Sequence, residues 1–202
     1  MPRAAAALIA LVSWIALAVQ FRATLGLNGS IMETLWILFR YFTVLTNVLV
    51  AVVMTGIALG RPRFASPAVM GFVTLAILLV GVVYMTLLRG MVELSGGALL
   101  ADVLLHKLVP ALVPLFWLLF ARRGGLGWRD PLVWSLYPLA YFAYALVRGS
   151  FDGRYAYPFI DLAALGPAQV ALNAVAIAAA FLIAGLAFVW LDGTLARRPA
   201  RR

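Results

Sequence analysis

Apolar positions along this chain gather into six long runs, near 4–22, 36–59, 67–88, 98–120, 131–147 and 168–191, with no polar alternation inside them. Each is roughly the 20 residues a helix needs to cross a hydrocarbon core of about 30 Å. The breaks carry Gly, Pro and Arg, as in Gly60-Arg61-Pro62-Arg63, Arg122-Arg123-Gly124-Gly125 and the stretch from Gly149 to Pro167. Such residues mark loops. The pattern predicts an all-α membrane protein, one bundle of six transmembrane helices filling residues 1–202.

Direction comes from the basic residues. Ten arginines fall on one side, Arg3, Arg61, Arg63, Arg122, Arg123, Arg129, Arg197, Arg198, Arg201 and Arg202, against five on the other, Arg22, Arg40, Arg89, Arg148 and Arg154. The positive-inside rule then places both termini in the cytoplasm and turns loops one, three and five outward. Arg3 followed by an alanine-rich run ending in Ala16-Leu17-Ala18 also fits a secretory signal peptide. The run is longer than a usual signal core, so an uncleaved first helix is the expectation.

Composition agrees: 65% hydrophobic and 11% charged residues leave no segment for a soluble catalytic domain, so any chemistry belongs to the helices and short loops. The net charge of +9 is scattered at helix ends without interleaved stacking aromatics, which speaks for lipid headgroups and against nucleic acid. With no cysteine and one histidine, thiolate sites, multi-histidine metal sites and bis-histidine haem are excluded. No metal or cofactor is expected.

That lone histidine, His106, stands inside the fourth run with Lys107 beside it, and an ionisable group at such depth is a functional-site candidate. At 1.5 Å per residue, Thr43 lies roughly 10 Å along a helix starting near 36, and His106 roughly 12 Å along one starting near 98. Both helices run inward, so a hydroxyl and an imidazole reach similar depth. Other polar side chains share the outer half: Arg40, Thr46 and Asn47; Tyr84, Thr86 and Arg89; Asp102; Tyr141, Tyr144 and Arg148; Gln169 and Asn173. This asymmetry predicts a cavity opening to the outer leaflet rather than a conduction path.

Asp102 is four residues before His106, on one helical face, where it either orients the imidazole or satisfies first-turn amides. Tyr137, Tyr141, Tyr144 and Arg148 form a stripe that either packs and anchors at the interface or lines a lipid tail. Pro110 and Pro114 are expected to kink the fourth helix just inward of His106 and free backbone carbonyls. Ala176, Ala180 and Ala184 give the sixth helix a small-residue face for close packing. The stretch Gly149 to Pro167, with Phe151, Tyr155, Tyr157 and Phe159, is the longest outward segment, either a cap over the cavity or an aromatic anchor.

A threonine hydroxyl becomes a nucleophile when an adjacent base takes its proton, and a neutral imidazole is the usual base. Asp102 or a backbone carbonyl could hold its tautomer, and Asn47, Arg40, Lys107 or a helix-five tyrosine could stabilise an oxyanion. The alternative is structural: threonines such as Thr46 or Thr55 bonding their own backbone, and a histidine serving only as an interhelical partner.

Five segments carry a family resemblance. They are Arg40-Tyr41-Phe42-Thr43-Val44-Leu45-Thr46-Asn47, Leu87-Leu88-Arg89-Gly90, Ala101-Asp102-Val103-Leu104-Leu105-His106-Lys107-Leu108-Val109-Pro110, Tyr137-Pro138-Leu139-Ala140-Tyr141 and Tyr157-Pro158-Phe159-Ile160-Asp161. In order, they resemble a bacterial family of six-helix membrane proteins across essentially the whole chain. That family is similar to the eukaryotic androgen-induced and androgen-dependent membrane proteins, the likeness resting on the six-helix pattern, a basic-Tyr-x-Thr element and a His followed by a proline. The eukaryotic members are intramembrane threonine hydrolases that cleave fatty acid esters of hydroxy fatty acids with one threonine and one histidine. The resemblance places these on Thr43 and His106. Thr46, next to Asn47, stays a second nucleophile candidate.

The resulting expectation is a lipid ester hydrolase of the bacterial inner membrane, taking its substrate from the bilayer. A transporter or lipid-binding membrane protein with a polar site of His106, Asp102 and Lys107 is the rival, weakened because neither an inverted repeat nor a pair of discontinuous helices is evident. A purely structural scaffold is the third reading.

Overall fold

A computed structural model describes residues 2–197, so Arg198, Arg201 and Arg202 of the basic tally lie outside the described residues. Among the described residues the chain is helical with no strand, and four helices are long and apolar enough to cross a membrane, or five if one bent pair is counted as a span. The chain divides into two compact units, one ending at Arg123 and the other beginning at Gly124.

The first unit opens with α1 (Pro2–Asn28), a continuous helix that outlasts the expected span at both ends. Its Trp14 indole donates to Thr55 Oγ1 at 3.2 Å, and Ala16 packs against Ala101 and Leu105. Next comes α2 (Ile31–Leu38), started by an N-cap in which Ser30 Oγ accepts from the Glu33 amide at 3.4 Å. After a break at residues 39–41, α3 (Phe42–Ala58) leaves at 95° to α2. This corrects the continuous helix expected over 36–59: Thr43 stands in the first turn of α3, not about two turns along a longer rod. Among the described residues, α2 and α3 thus form a discontinuous helix pair.

Loop residues 59–66 close back on α3. A Cβ on Gly56 would fall within 2.2 Å of the Phe64 ring, so the missing side chain admits that ring. At Gly60, with φ of 72°, a Cβ would meet the Arg3 guanidinium at 2.7 Å, which puts the start of α1 and the Arg61–Arg63 loop at one end of the unit. Ser66 then caps α4 (Pro67–Val83), with proline at its first position. α4 continues as a π-helical turn over Tyr84–Leu88.

The fourth run is a second composite: α5 (Gly96–Val103), a π turn at Leu104–Leu108 and α6 (Val109–Phe120). Val50, Ala51 and Met54 of α3, Val73, Ala76 and Ile77 of α4, and Val109 and Val113 of α6 are buried to within a few per cent and form the core. α3 and α4 both pack on the π turn, so the helix that carries Thr43 touches the one that carries His106.

In the second unit, α7 (Asp130–Asp152) is longer than the expected 131–147 and is not among the helices apolar enough to count as spans. α8 (Leu162–Ala196) starts on an Asp161 cap and is broken at Gly166, whose φ of 74° and ψ of 164° no helix contains. Pro167 then restarts it, where the sixth run was expected to begin. The stretch Gly149–Pro167 is therefore mostly helix ends, with a single turn at Pro158–Ile160 between them. Ala176, Ala180 and Ala184 are exposed; the buried stripe of α8 is Val170, Phe181, Gly185 and Phe188, which corrects the packing face. Buried Asp192 accepts from the Gly124 amide at 2.8 Å and the Leu126 amide at 3.4 Å, tying that loop to α8.

Candidate active site

The site begins with a proline. Pro110 has no N–H to offer to the preceding turn. One residue before it, the Val109 amide bonds back five residues to Leu104 O, the closure of a π turn. Leu105 O is thereby left without a donor: its ordinary partner, Val109, is engaged elsewhere, and the next residue is Pro110. Asn47 of α3 fills the gap, its Nδ2 donating to Leu105 O at 3.4 Å and to Thr43 O at 2.8 Å. A fully buried amide thus joins the first turns of α3 to the π turn of the other helix.

The same arrangement sets His106 against α3. Its Nε2 lies 3.3 Å from Thr43 Oγ1, and its Nδ1 lies 3.0 Å from Asp102 Oδ1, an off-axis approach. Asp102 and Thr43 are each 7% exposed and the His106 side chain 19%, so the three groups are screened but the imidazole is reachable. A carboxylate beside Nδ1 favours the tautomer protonated there, the one whose Nε2 lone pair faces the threonine hydroxyl. The Asp102 carboxylate thus lies against the imidazole and the Tyr84 hydroxyl, while Ser95 holds the N-cap position of α5.

A fourth residue belongs to the cluster. Tyr84, at the start of the π turn that ends α4, donates its hydroxyl to Asp102 Oδ2 at 2.5 Å and stacks its ring on His106, centroids 4.3 Å apart and 12° between planes. The sequence placed Tyr84 only in the outer polar layer. No spacing rule links residues 18 apart on different helices, so only the fold could find this contact.

The remaining candidates separate. Thr46 is fully buried one turn below Thr43. Asn47 has spent both amide hydrogens on backbone carbonyls and works as a tie between helices rather than an oxyanion donor. Arg40 is buried in the α2–α3 break. Lys107 is exposed, its ammonium 5.7 Å from the centre of the Tyr84 ring. Tyr141, Tyr144 and Arg148 belong to the second unit, where Arg148 Nη1 donates to the Tyr144 hydroxyl at 2.7 Å and Arg148 Nε lies 3.8 Å from Asp152. In the same unit Tyr141 meets the Tyr157 ring at 6.5 Å, and Asn173 donates to Phe159 O at 2.9 Å. Thr55 bonds its own backbone at Ala51 O, as the structural reading of membrane threonines expects.

Among the described residues, no group of three His, Cys, Asp or Glu side chains could hold a metal ion. What the cluster can do chemically is move a proton: from a threonine hydroxyl to an imidazole whose far side faces a carboxylate. No family model, no curated protein and no solved structure matches this chain.

Proposed function

We propose that this chain is an intramembrane lipid ester hydrolase with Thr43 as nucleophile and His106 as base. The observation that carries the reading is the run of contacts from Thr43 Oγ1 to His106 Nε2 at 3.3 Å and on from His106 Nδ1 to Asp102 Oδ1 at 3.0 Å. A nucleophile, a base and an orienting carboxylate within reach of one another form the arrangement from which acyl transfer proceeds. The resemblance to the eukaryotic threonine hydrolases, carried by the basic-Tyr-x-Thr element and the histidine before a proline, suggests the substrate class, fatty acid esters of hydroxy fatty acids.

In the reaction, Thr43 Oγ1 attacks the ester carbonyl as its proton passes to His106 Nε2. The oxyanion forms beside the first turn of α3, where the positive end of the helix dipole favours negative charge. Collapse breaks the ester C–O bond, and His106 returns its proton to the departing hydroxy fatty acid. Water, deprotonated by the same imidazole, then releases the free acid and restores Thr43.

The setting is the bacterial inner membrane, with six crossings and both termini cytoplasmic. α3 at 17 residues spans about 26 Å and α7 at 23 residues about 35 Å, lengths compatible with the two remaining crossings. Substrate enters laterally from the outer leaflet.

Purified Thr43→Ala and His106→Ala proteins should stay folded and lose both ester hydrolysis and labelling by a fluorophosphonate probe. Full activity in either variant rejects the reading. Proton-linked uptake into liposomes, with no acyl product and no labelling, would favour the transporter instead.

A further inference from the structure

We propose that Tyr84 is a positioning residue for His106, holding the imidazole from two directions at once. Its hydroxyl occupies Asp102 Oδ2 at 2.5 Å, which leaves Oδ1 as the oxygen that faces His106 Nδ1 at 3.0 Å. Its ring lies on the imidazole at 4.3 Å with 12° between planes, which restricts rotation about the bond to the ring. A carboxylate with one anchored oxygen and a base with one covered face have a single mutual orientation.

The backbone supports this. Tyr84 opens a π turn closed by the Arg89 amide on Tyr84 O at 2.8 Å, and His106 lies within the other π turn of the unit. Each such turn inserts one residue and re-aims the side chains near it. The two helices come close just below: a Cβ on Gly81 would stand 3.0 Å from Pro110 Cβ and 3.7 Å from His106 O. A larger residue at 81 would push α4 away from the imidazole, so Gly81 lets the Tyr84 ring reach it. Neither the nucleophile nor the substrate carbonyl touches Tyr84 in this scheme, so its effect passes through His106 and Asp102.

The inference rests on the hydrolase reading for its kinetic arm alone. Its other arm uses the fact that His106 is the only histidine, so protein labelled with ring-15N histidine gives one pair of imidazole signals. Wild type should show a protonated Nδ1 and a bare Nε2. Tyr84→Phe keeps the ring and loses the hydroxyl; its imidazole signals should move toward an average of the two tautomers, and kcat should fall about tenfold with KM unchanged, a part of the range general-base catalysis spans. Tyr84→Leu loses the stack as well and should fall further, about a hundredfold, with the same tautomer averaging.

A wild-type imidazole spectrum in both variants overturns the inference, whatever their activity. So does a shifted spectrum with unchanged kcat in an active enzyme. If wild type itself hydrolyses no ester, the hydrolase reading fails while the tautomer result still decides for or against Tyr84. Should Tyr84→Leu not fold, Tyr84→Phe alone carries both arms.

Discussion

The three groups that would do the chemistry make unequal demands. Asp102→Asn keeps the size of the side chain but replaces an acceptor-only group with one that can present an N–H to His106 Nδ1. That favours the tautomer whose lone pair points away from Thr43. The variant should fold normally and lose kcat by about 10²- to 10⁴-fold, as loss of an orienting carboxylate does elsewhere. Thr46→Ala, by contrast, should keep most of its turnover, since the hydroxyl that His106 meets is that of Thr43; ester hydrolysis with purified protein checks both. At this scale much was legible in the sequence. A lone histidine in an apolar run, a carboxylate four residues before it and a threonine of similar depth gave Thr43, His106 and Asp102. The reasoning about depth paired two side chains that lie 3.3 Å apart, and did so from an inexact premise, because α3 starts at Phe42 and not near 36. Tyr84 was not legible as a partner, since its two contacts join helices whose neighbours a single chain does not specify.

Among the helices, the informative feature is the backbone exchange around Pro110. Replacing Pro110 with Ala supplies an N–H that can satisfy Leu105 O or His106 O from within the helix, making Asn47 redundant. Asn47→Leu alone should cost about 1–3 kcal/mol, the penalty of stranding a buried carbonyl. In a Pro110→Ala background it should cost clearly less, and thermal unfolding of the four proteins in detergent measures the coupling. Pro110→Ala should also lower hydrolysis while leaving stability the same or higher, because a regular helix turns His106 out of its place. The prolines predicted a disturbance just inward of His106. The disturbance lies on His106 itself, as a π turn, because the strain of a missing N–H is absorbed by the residues before the proline. The break at 39–41 carries neither Gly nor Pro, and Arg40 alone interrupts the apolar run there. α2 and α3 therefore read as one element. At Gly166-Pro167 backbone chemistry does mark the break, although the helix already begins at Leu162, inside the stretch expected to be loop.

For the whole molecule, the arrangement across the bilayer is testable because the chain has no cysteine, so each introduced thiol is unique. Glu93→Cys, in the exposed loop after Arg89, should react with a membrane-impermeant maleimide in intact cells. Arg63→Cys, exposed at the end of the unit that holds Arg3, should react only after permeabilisation. The reverse pattern would invert the proposed orientation and turn the Thr43 site toward the cytoplasmic leaflet. Hydropathy made the helical, membrane-spanning class legible, but it could not weigh α7, whose tyrosines, serines and terminal charges leave it too polar for the same test. The Leu105 carbonyl has a consequence for how the protein is made. While the segment 96–120 is alone in the bilayer, Pro110 leaves it with an acceptor that hydrocarbon cannot satisfy, at a cost of several kcal/mol. The segment should linger at the insertion machinery until α3 brings Asn47 to it. Synthesis order favours this, since α3 emerges first, and the tie that completes the membrane helix also sets Thr43 beside His106. Correct assembly and a formed site would then be one event, with no well-inserted but mispaired product.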